Sequence, residues 1–183
     1  MGYAVAVAAR DSGARTILIS GPTSLTPPPG VEFIPVETTA EMHKAVSRHF
    51  GKADCLIMAA APADFSPGKA AGQKMKKSDS TLELTLKPTV DILKEMGKKK
   101  QKGQVLVGFA LETENGVANA RRKLKEKNLD LIVLNNPLDE KSAFDHDTNK
   151  VTLIRPGKKP EEWRLQSKND VASNLLAVIV KML

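Results

Sequence analysis

Small residues, one carboxylate and a group of lysines follow an apolar segment of this chain. The run at residues 54–58 predicts a buried strand, and three alanines and then Asp64 come directly after it. Small residues let a ligand approach the backbone closely, and a carboxylate beside lysines suits a phosphate group with its metal ion. The lysines of this group are Lys74, Lys76 and Lys77. In open α/β sheets ligands bind at the carboxyl ends of the strands, so the segment predicts a phosphate-binding site there.

The charge balance indicates an anionic partner. The 183 residues include 28 Lys and Arg against 21 Asp and Glu, a formal net charge of +7. This excess fits nucleic acid or phosphorylated metabolites, and a solvated lysine surface explains it equally well. Only 4% of the residues are aromatic, which argues against a stacking platform for single-stranded nucleic acid. No apolar run reaches the roughly 18 residues of a membrane span and no signal peptide is found, so we expect a cytoplasmic protein without a membrane partner.

Strand and helix signals alternate along the chain. Apolar strands are predicted at residues 15–20, 31–36, 54–60, 105–110 and 129–134. Helices are predicted at residues 2–12, 38–49, 90–99, 115–127 and from 168 to the C-terminus, and a hairpin with strands at 151–154 and 163–165. Near-continuous apolar strands between helices are typical of a parallel sheet that is covered on both faces. We therefore expect a single α/β domain over residues 1–183, a Rossmann-like three-layer domain with a mostly parallel sheet.

The insertion at residues 62–88 is too long for an ordinary connection between a strand and a helix. Its last part, residues 81–86, alternates polar residues with Leu82, Leu84 and Leu86, which predicts a half-exposed strand. An isolated hairpin cannot bury such a face by itself. The insertion therefore predicts a β-hairpin flap that acts as a lid or as a dimerisation surface.

Several common motifs are absent, and other residues allow two interpretations. The chain has neither a P-loop nor a GxGxxG turn, and the spacing of its histidines does not suit a shared metal ion. The single Cys55 is expected to be a buried structural thiol. Lys123 and Lys127 share a helix face, which fits a polyphosphate clamp or a solvated surface. Asp91 fits a helix cap and Phe109 fits the core.

Read in order, these segments resemble phosphopantothenoylcysteine synthetase, also called phosphopantothenate–cysteine ligase. In many bacteria that enzyme is the C-terminal half of a bifunctional coenzyme A biosynthesis protein. The matching segments are residues 1–4, 18–23, 58–61 with Asp64, 74–77, 91–93, 107–110 with Glu112 and Thr113, and 120–128. Each is weak alone, and their order and spacing together are specific.

The resemblance implies a CTP-dependent ligase that joins 4′-phosphopantothenate to L-cysteine through an acyl-cytidylate, with Mg²⁺ accompanying CTP. It also implies a homodimer formed through the flap, with no nucleic-acid partner. FMN is expected only if a flavin decarboxylase domain is fused upstream. The alternative is a non-catalytic Rossmann-like module that binds nucleotides or nucleic acid.

The resemblance also implies roles for individual residues. Lys74 matches the family lysine on the nucleotide phosphates, with a catalytic role, and Asp64 matches the acid shared by nucleotide, pantothenate substrate and metal. The other nucleotide-binding matches are Met58, Ala59, Ala60, Val90, Asp91, Ile92, Leu93, Phe109, Lys123 and Lys127, and the substrate-binding matches are Ala60, Ala61 and Asp64.

The chain departs from the family pattern in three places. Pro62 stands where valine is common, and Val90 stands where proline often precedes the aspartate. In the family, a strand and a Gly/Ser-rich loop with a catalytic asparagine precede the segment that matches Met1. We therefore assign the role of that asparagine to no residue of this chain.

Overall fold

The computed structural model describes residues 1–68, 73, 81, 83–136 and 147–183. The helices of this part are α1 (Gly2–Asp11), α2 (Thr39–Phe50), α3 (Ile92–Lys99), α4 (Gly116–Glu126) and α5 (Lys168–Val180). Its first strands are β1 (Ile17–Ser20), β2 (Glu32–Pro35), β3 (Cys55–Met58), β4 (Phe65–Pro67), β5 (Leu86–Pro88) and β6 (Val105–Leu111). The later strands are β7 (Leu131–Asn135), β8 (Thr148–Asn149), β9 (Val151–Ile154), β10 (Glu161–Glu162) and β11 (Gln166–Ser167).

The main sheet has five strands in the order β10-β9-β7-β6-β3. Strands β3, β6 and β7 are parallel to one another, and β9 and β10 add an antiparallel edge. Strands β1 and β2 form a separate parallel pair. The prediction of an α/β fold is confirmed, and the five-stranded sheet is mixed because the hairpin at its far edge is antiparallel.

Helices cover the sheet on both faces, which gives the predicted three layers. One core cluster joins the sheet to α2, α3 and α4, with Met42, Met96 and Leu124 among its buried side chains. The other cluster joins the sheet to α1 and α5, with Val5 and Leu175 buried. Among the described helices, none has the length and apolar character that a membrane crossing requires.

The carboxyl ends of β1 and β3 lie close to the N-terminus of α1. The Tyr3 hydroxyl donates to Ser20 Oγ at 3.3 Å, and a Cβ on Gly2 would lie 3.7 Å from the Cβ of Ala59. In the described part of the chain, no sheet includes both β1 and β3. The start of α1 therefore contacts the ends of two strands that belong to separate sheets.

Two predicted strands are wrong in their bounds. In the flap, β5 is Leu86–Pro88 and pairs antiparallel with β4, whereas residue 81 and residues 83–85 belong to no strand. Alternating side chains do not make a strand without a backbone partner, and the described partner spans only three residues. Leu82 lies outside the described residues. In the second hairpin the strand predicted at 163–165 is instead β10, because Glu161 and Glu162 are the residues that pair with β9.

Candidate functional site

The segment after β3 lines a cavity at the carboxyl edge of the sheet. Met58 and Ala59 are half-buried, while Ala60 and Ala61 are exposed. The cavity has a volume of about 290 Å³ and lies between the ends of β1, β2 and β3 and the start of α2. Its lining residues are Gly21, Val36, Glu37, Thr38, Thr39, Met42, Ala60, Ala61, Pro62 and Ala63. The small residues predicted to approach a ligand therefore do border open space.

The first turn of α2, at one side of this cavity, is capped by its own side chains. Thr38 Oγ1 accepts from Glu41 N at 3.1 Å, and Glu41 Oε2 accepts from Glu37 N at 2.7 Å and Thr38 N at 3.1 Å. The backbone hydrogen bonds from Glu37 and Thr38 lower the pKa of Glu41. Because a carboxylate already fills this helix N-terminus, an anionic ligand gains little there.

The Lys123 side chain places its ammonium group at the carboxyl edge of the sheet. It lies in the last turn of α4, but helical side chains point towards the N-terminus of their helix. Its Nζ lies 2.6 Å from Glu112 Oε1, directly after β6. The Lys123 side chain is 37% exposed and that of Glu112 is 16% exposed, so the ammonium lies at the surface with the carboxylate beneath it.

Lys127 reaches the start of α3 in the same way. Its Nζ lies 2.9 Å from Asp91 Oδ2, and Asp91 Oδ1 accepts from Lys94 N at 3.0 Å as the cap of α3. Burial tends to raise the pKa of Asp91, but the hydrogen bonds from Lys127 and from the Lys94 backbone outweigh it and the pKa is lowered. Asp91 is therefore the helix cap that the sequence indicates and also the partner of a predicted nucleotide-binding lysine.

A close contact between α3 and α4 brings these two residues together. A Cβ at Gly97 would lie 1.9 Å from the carbonyl oxygen of Lys127, so no other residue fits there. Asn128 has φ of +52°, and its Nδ2 donates to Gly97 O at 2.9 Å. The last turn of α4 thus rests directly on the backbone of α3, and the Lys127 side chain extends along α3 to Asp91.

Other predicted nucleotide-binding residues are distributed between the core and the surface. Ile92 and Leu93 are 3% and 8% exposed, so only their backbone groups can meet a ligand. Val90 is exposed. Phe109 packs against the cluster under α1 and α5, on the opposite face of the sheet from α3 and α4. The structure therefore does not bring the Phe109 side chain together with the two lysines.

Asp64 stands at the base of the flap. Its carbonyl oxygen accepts from Thr89 N at 2.8 Å, and Ala63 O accepts from Thr89 Oγ1 at 2.6 Å, so the backbone is fixed on both sides. Its side chain is exposed and has no hydrogen bond or ion pair within the described residues. Lys74, the other predicted residue of this segment, lies outside the described residues.

Sequence reasoning assigned no role to Glu112 or to Asn119. Both belong to the network at Lys123, since Asn119 Nδ2 donates to Glu112 Oε2 at 3.1 Å. The one local signal is that Asn119 and Lys123 lie four residues apart on a helix. Glu112 is eleven residues from Lys123, a separation that no regular element reveals.

A larger open groove, of about 570 Å³, lies elsewhere, between the segment after β10 and helix α5. Trp163, Leu165 and Val178 are among its lining residues. It contains none of the predicted site residues, so cavity size alone does not locate the site. The site is indicated instead by the carboxyl edge that the parallel neighbours β3 and β6 share, where the small-residue segment follows β3 and the Lys123–Glu112 pair follows β6.

The family profile described as "DNA/pantothenate metabolism flavoprotein C-terminal domain" matches residues 1–183. The "Coenzyme A biosynthesis bifunctional protein CoaBC" of Bacillus subtilis (strain 168) is 49% identical over 183 residues, which are 100% of this chain and 45% of that protein. The chain thus spans a little under half the length of this relative. The crystal structure of the C-terminal domain of CoaBC has a TM-score of 0.83 and 38% identity, over 99% of this chain and 81% of that one.

A more distant structure shares the fold. A Cab2 variant in complex with phosphopantothenate-cysteine has a TM-score of 0.78 at 16% identity, over 99% of this chain and 76% of that chain. That likeness concerns the fold alone. The profile match over every residue establishes that the chain belongs to the DNA/pantothenate metabolism flavoprotein C-terminal domain family.

Proposed function

We propose that this chain is the CTP-dependent ligase that joins 4′-phosphopantothenate to L-cysteine in coenzyme A biosynthesis. The observation that carries the proposal is the pair of ammonium groups on Lys123 and Lys127, which lie on the carboxylate that follows β6 and on the carboxylate that begins α3, respectively. Each contacts one carboxylate oxygen within the described residues. Since an ammonium has three donors, both lysines retain N–H groups for phosphate oxygens. The relative named for coenzyme A biosynthesis and the distant fold neighbour bound to phosphopantothenate-cysteine support this choice of substrates.

The proposed reaction has two steps. A carboxylate oxygen of phosphopantothenate attacks the α-phosphorus of CTP, the bond to the bridging oxygen breaks, and pyrophosphate leaves. The amine nitrogen of cysteine then attacks the acyl carbon, the bond to the CMP oxygen breaks, and the amine loses a proton. Neither step requires a nucleophile from the protein, so the side chains act by positioning and by stabilising negative charge.

In this proposal Lys123, Lys127 and Lys74 bind the phosphates of CTP, and the small residues at 59–61 admit the reacting groups close to the backbone. Backbone groups of Ile92 and Leu93 at the start of α3 contact the nucleotide. Mg²⁺ fits the residues present. Within the described residues no group of three or more His, Cys, Asp or Glu side chains is placed to hold a metal, and nucleotide-bound Mg²⁺ needs only one or two carboxylates. Asp64 would hold it, and the ion would neutralise phosphate charge.

The exposed apolar side chains of the flap support a further proposal. Phe65, Leu84, Leu86 and Val90 are between 47% and 63% exposed at and beside the flap, and we propose that a second copy covers them in a homodimer. Light scattering that gives only a monomer at micromolar concentration would contradict the dimer.

The test is pyrophosphate release by the full-length protein with purified substrates. Release should require both CTP and phosphopantothenate, and cysteine should convert the intermediate to phosphopantothenoylcysteine, followed by mass spectrometry. Calorimetry should show tighter binding of CTP than of ATP. The alternative, a non-catalytic module that binds nucleic acid through its +7 net charge, predicts instead an affinity for DNA or RNA that falls steeply with salt and no pyrophosphate release.

A further inference from the structure

Hydrogen bonds fix both the backbone and the side chain of Glu112 at the carboxyl edge. Its backbone N–H donates to Asn135 O at the end of β7, at 3.1 Å. Each of its carboxylate oxygens has one partner, since Oε1 accepts from Lys123 at 2.6 Å and Oε2 accepts from Asn119 at 3.1 Å. Backbone and side chain are therefore both fixed, and the carboxylate has one orientation relative to the sheet.

The Glu112 carboxylate is the inner member of its pair. Its side chain is 16% exposed and that of Lys123 is 37% exposed, so a ligand that arrives from solvent meets the ammonium first. If Glu112 only competed with an anionic ligand for Lys123, we would expect its carboxylate on the solvent side of the ammonium. The hydrogen bond from Lys123 lowers the pKa of Glu112, and the group is therefore anionic at neutral pH.

A carboxylate partner fixes the position of the Lys123 ammonium before a ligand binds. A lysine side chain has four carbons and about 2 kcal/mol of rotamer entropy, so a free ammonium at this surface would occupy many positions. One hydrogen bond to Glu112 fixes the position of Nζ and leaves two N–H groups directed away from the carboxylate. The cost of ordering the side chain is then met in the free protein and not at ligand binding.

We propose that Glu112, oriented by Asn119, is a positioning residue that fixes the Lys123 ammonium for the phosphates of a nucleoside triphosphate. The inference rests on the proposed function, because it assigns Lys123 to the triphosphate. Glu112 itself makes no contact with the ligand and acts only through Lys123.

A double-mutant cycle in the full-length protein tests this assignment. The variants are Glu112→Gln, Lys123→Met and the double variant, and the readout is the CTP dissociation constant from calorimetry. Glu112→Gln should weaken CTP binding about tenfold in the wild-type background, within the range for coupled contacting residues. With Lys123→Met it should change the affinity less than about twofold.

Matched variants separate positioning from general charge and stability effects. Glu114→Gln removes one negative charge from an exposed side chain of the same loop and should not weaken CTP binding. Asn119→Leu keeps the Glu112 charge but frees one oxygen, and should give a smaller loss that also disappears with Lys123→Met. Because Asn119→Leu does not alter the carboxylate, it remains informative if Glu112→Gln unfolds.

The outcomes separate the two proposals. Tighter CTP binding by Glu112→Gln would show that the carboxylate masks the lysine, and an equal loss in both backgrounds would show that it does not act through Lys123. Either result overturns the positioning role alone. A wild-type protein that binds no nucleoside triphosphate overturns the proposed function, and the positioning role with it.

Discussion

Lysine–carboxylate pairs occur at both edges of the central sheet, but they differ in how many lysine donors are used. At the amino edge, Lys100 Nζ donates to Asn128 O at 2.8 Å and contacts the two Asp130 oxygens at 2.9 and 3.0 Å. At the carboxyl edge, Lys123 and Lys127 each contact one carboxylate oxygen in the described part of the chain. An ammonium has three donors, so Lys123 and Lys127 keep donors for a ligand, whereas the three contacts of Lys100 use all of its donors.

The two edges also differ in what their carboxylates hold together and in how exposed their lysines are. Asp130 Oδ2 also accepts from Leu106 N at 2.7 Å, and therefore ties the starts of β6 and β7 together. Lys100 is 14% exposed, compared with 37% and 25% for Lys123 and Lys127. The amino-edge network is closed and serves the fold, whereas the carboxyl-edge pairs remain open to solvent. The number of satisfied donors, and not the residue type, separates a structural lysine from one that can bind a ligand.

The contact between α3 and α4 joins the two regions, and we expect its loss to have the largest effect. In Gly97→Ala the new Cβ would meet the Lys127 carbonyl oxygen at 1.9 Å, so the helices must separate. Urea unfolding should show a loss of roughly 3 kcal/mol or more. Gly51→Ala is the control, because no atom lies within 4 Å of its Cβ position, and it should change stability by less than about 1 kcal/mol. A Gly97→Ala protein as stable as wild type would mean that α3 and α4 are not packed this closely.

The amino-edge lysine should matter to stability and not to ligand binding. Lys100→Met leaves Asp130 without its cation and frees Asn128 O, and should lower the free energy of unfolding by roughly 2 kcal/mol. The affinity for CTP should stay at the wild-type value. Lys98→Met, at an exposed position two residues earlier in α3, should do neither. Loss of CTP affinity in Lys100→Met, without a matching change in stability, would contradict the division between the edges.

The carboxyl-edge lysine should behave in the opposite way. Lys127→Met removes a charge-assisted contact to phosphate and should weaken CTP binding by about tenfold or more, since such contacts contribute roughly 1.5–3 kcal/mol. Its pair with Asp91 is partly exposed, so unfolding should change by less than about 1 kcal/mol. Lys125→Met, at an exposed position two residues earlier in α4, is the control for net charge. Unchanged CTP affinity with a large loss of stability would place Lys127 in the structural class.

Much of this architecture could be predicted from the sequence. Alternating apolar strands and capped helices give the three layers, and the helix cap at Asp91 follows from its position before an amphipathic segment. The flap strand was wrong because alternation at residues 81–86 reports side-chain exposure and not whether a backbone partner is present.

The site was harder to predict because its geometry depends on long-range contacts. Spacing shows that Lys123 and Lys127 share a helix face, but the carboxylates that they reach belong to other elements. Glu112 is fixed by the end of β7, and Asp91 is reached only because a glycine admits α4 against α3. Phe109 shares a face of β6 with Val105 and Val107, but because β6 is buried on both faces its sequence does not show which helices cover that face.

The smallest expected effect is on the acid sensitivity of the carboxyl-edge pairs. Asp91 and Glu112 have lowered pKa values in the folded protein, so the folded state binds fewer protons than the unfolded state. The stability from these two pairs is therefore fully present above the ordinary carboxyl range of about 4, and it is lost as pH falls through the lower folded pKa values. Other carboxylates titrate in the same window, so the informative quantity is a difference between proteins. The free energy of unfolding should fall less between about pH 6 and pH 3 in Glu112→Gln than in wild type, and added salt should narrow the gap because the pair is partly exposed. If wild type and Glu112→Gln lose the same free energy over this range, the Lys123–Glu112 pair does not contribute to folded-state stability in solution.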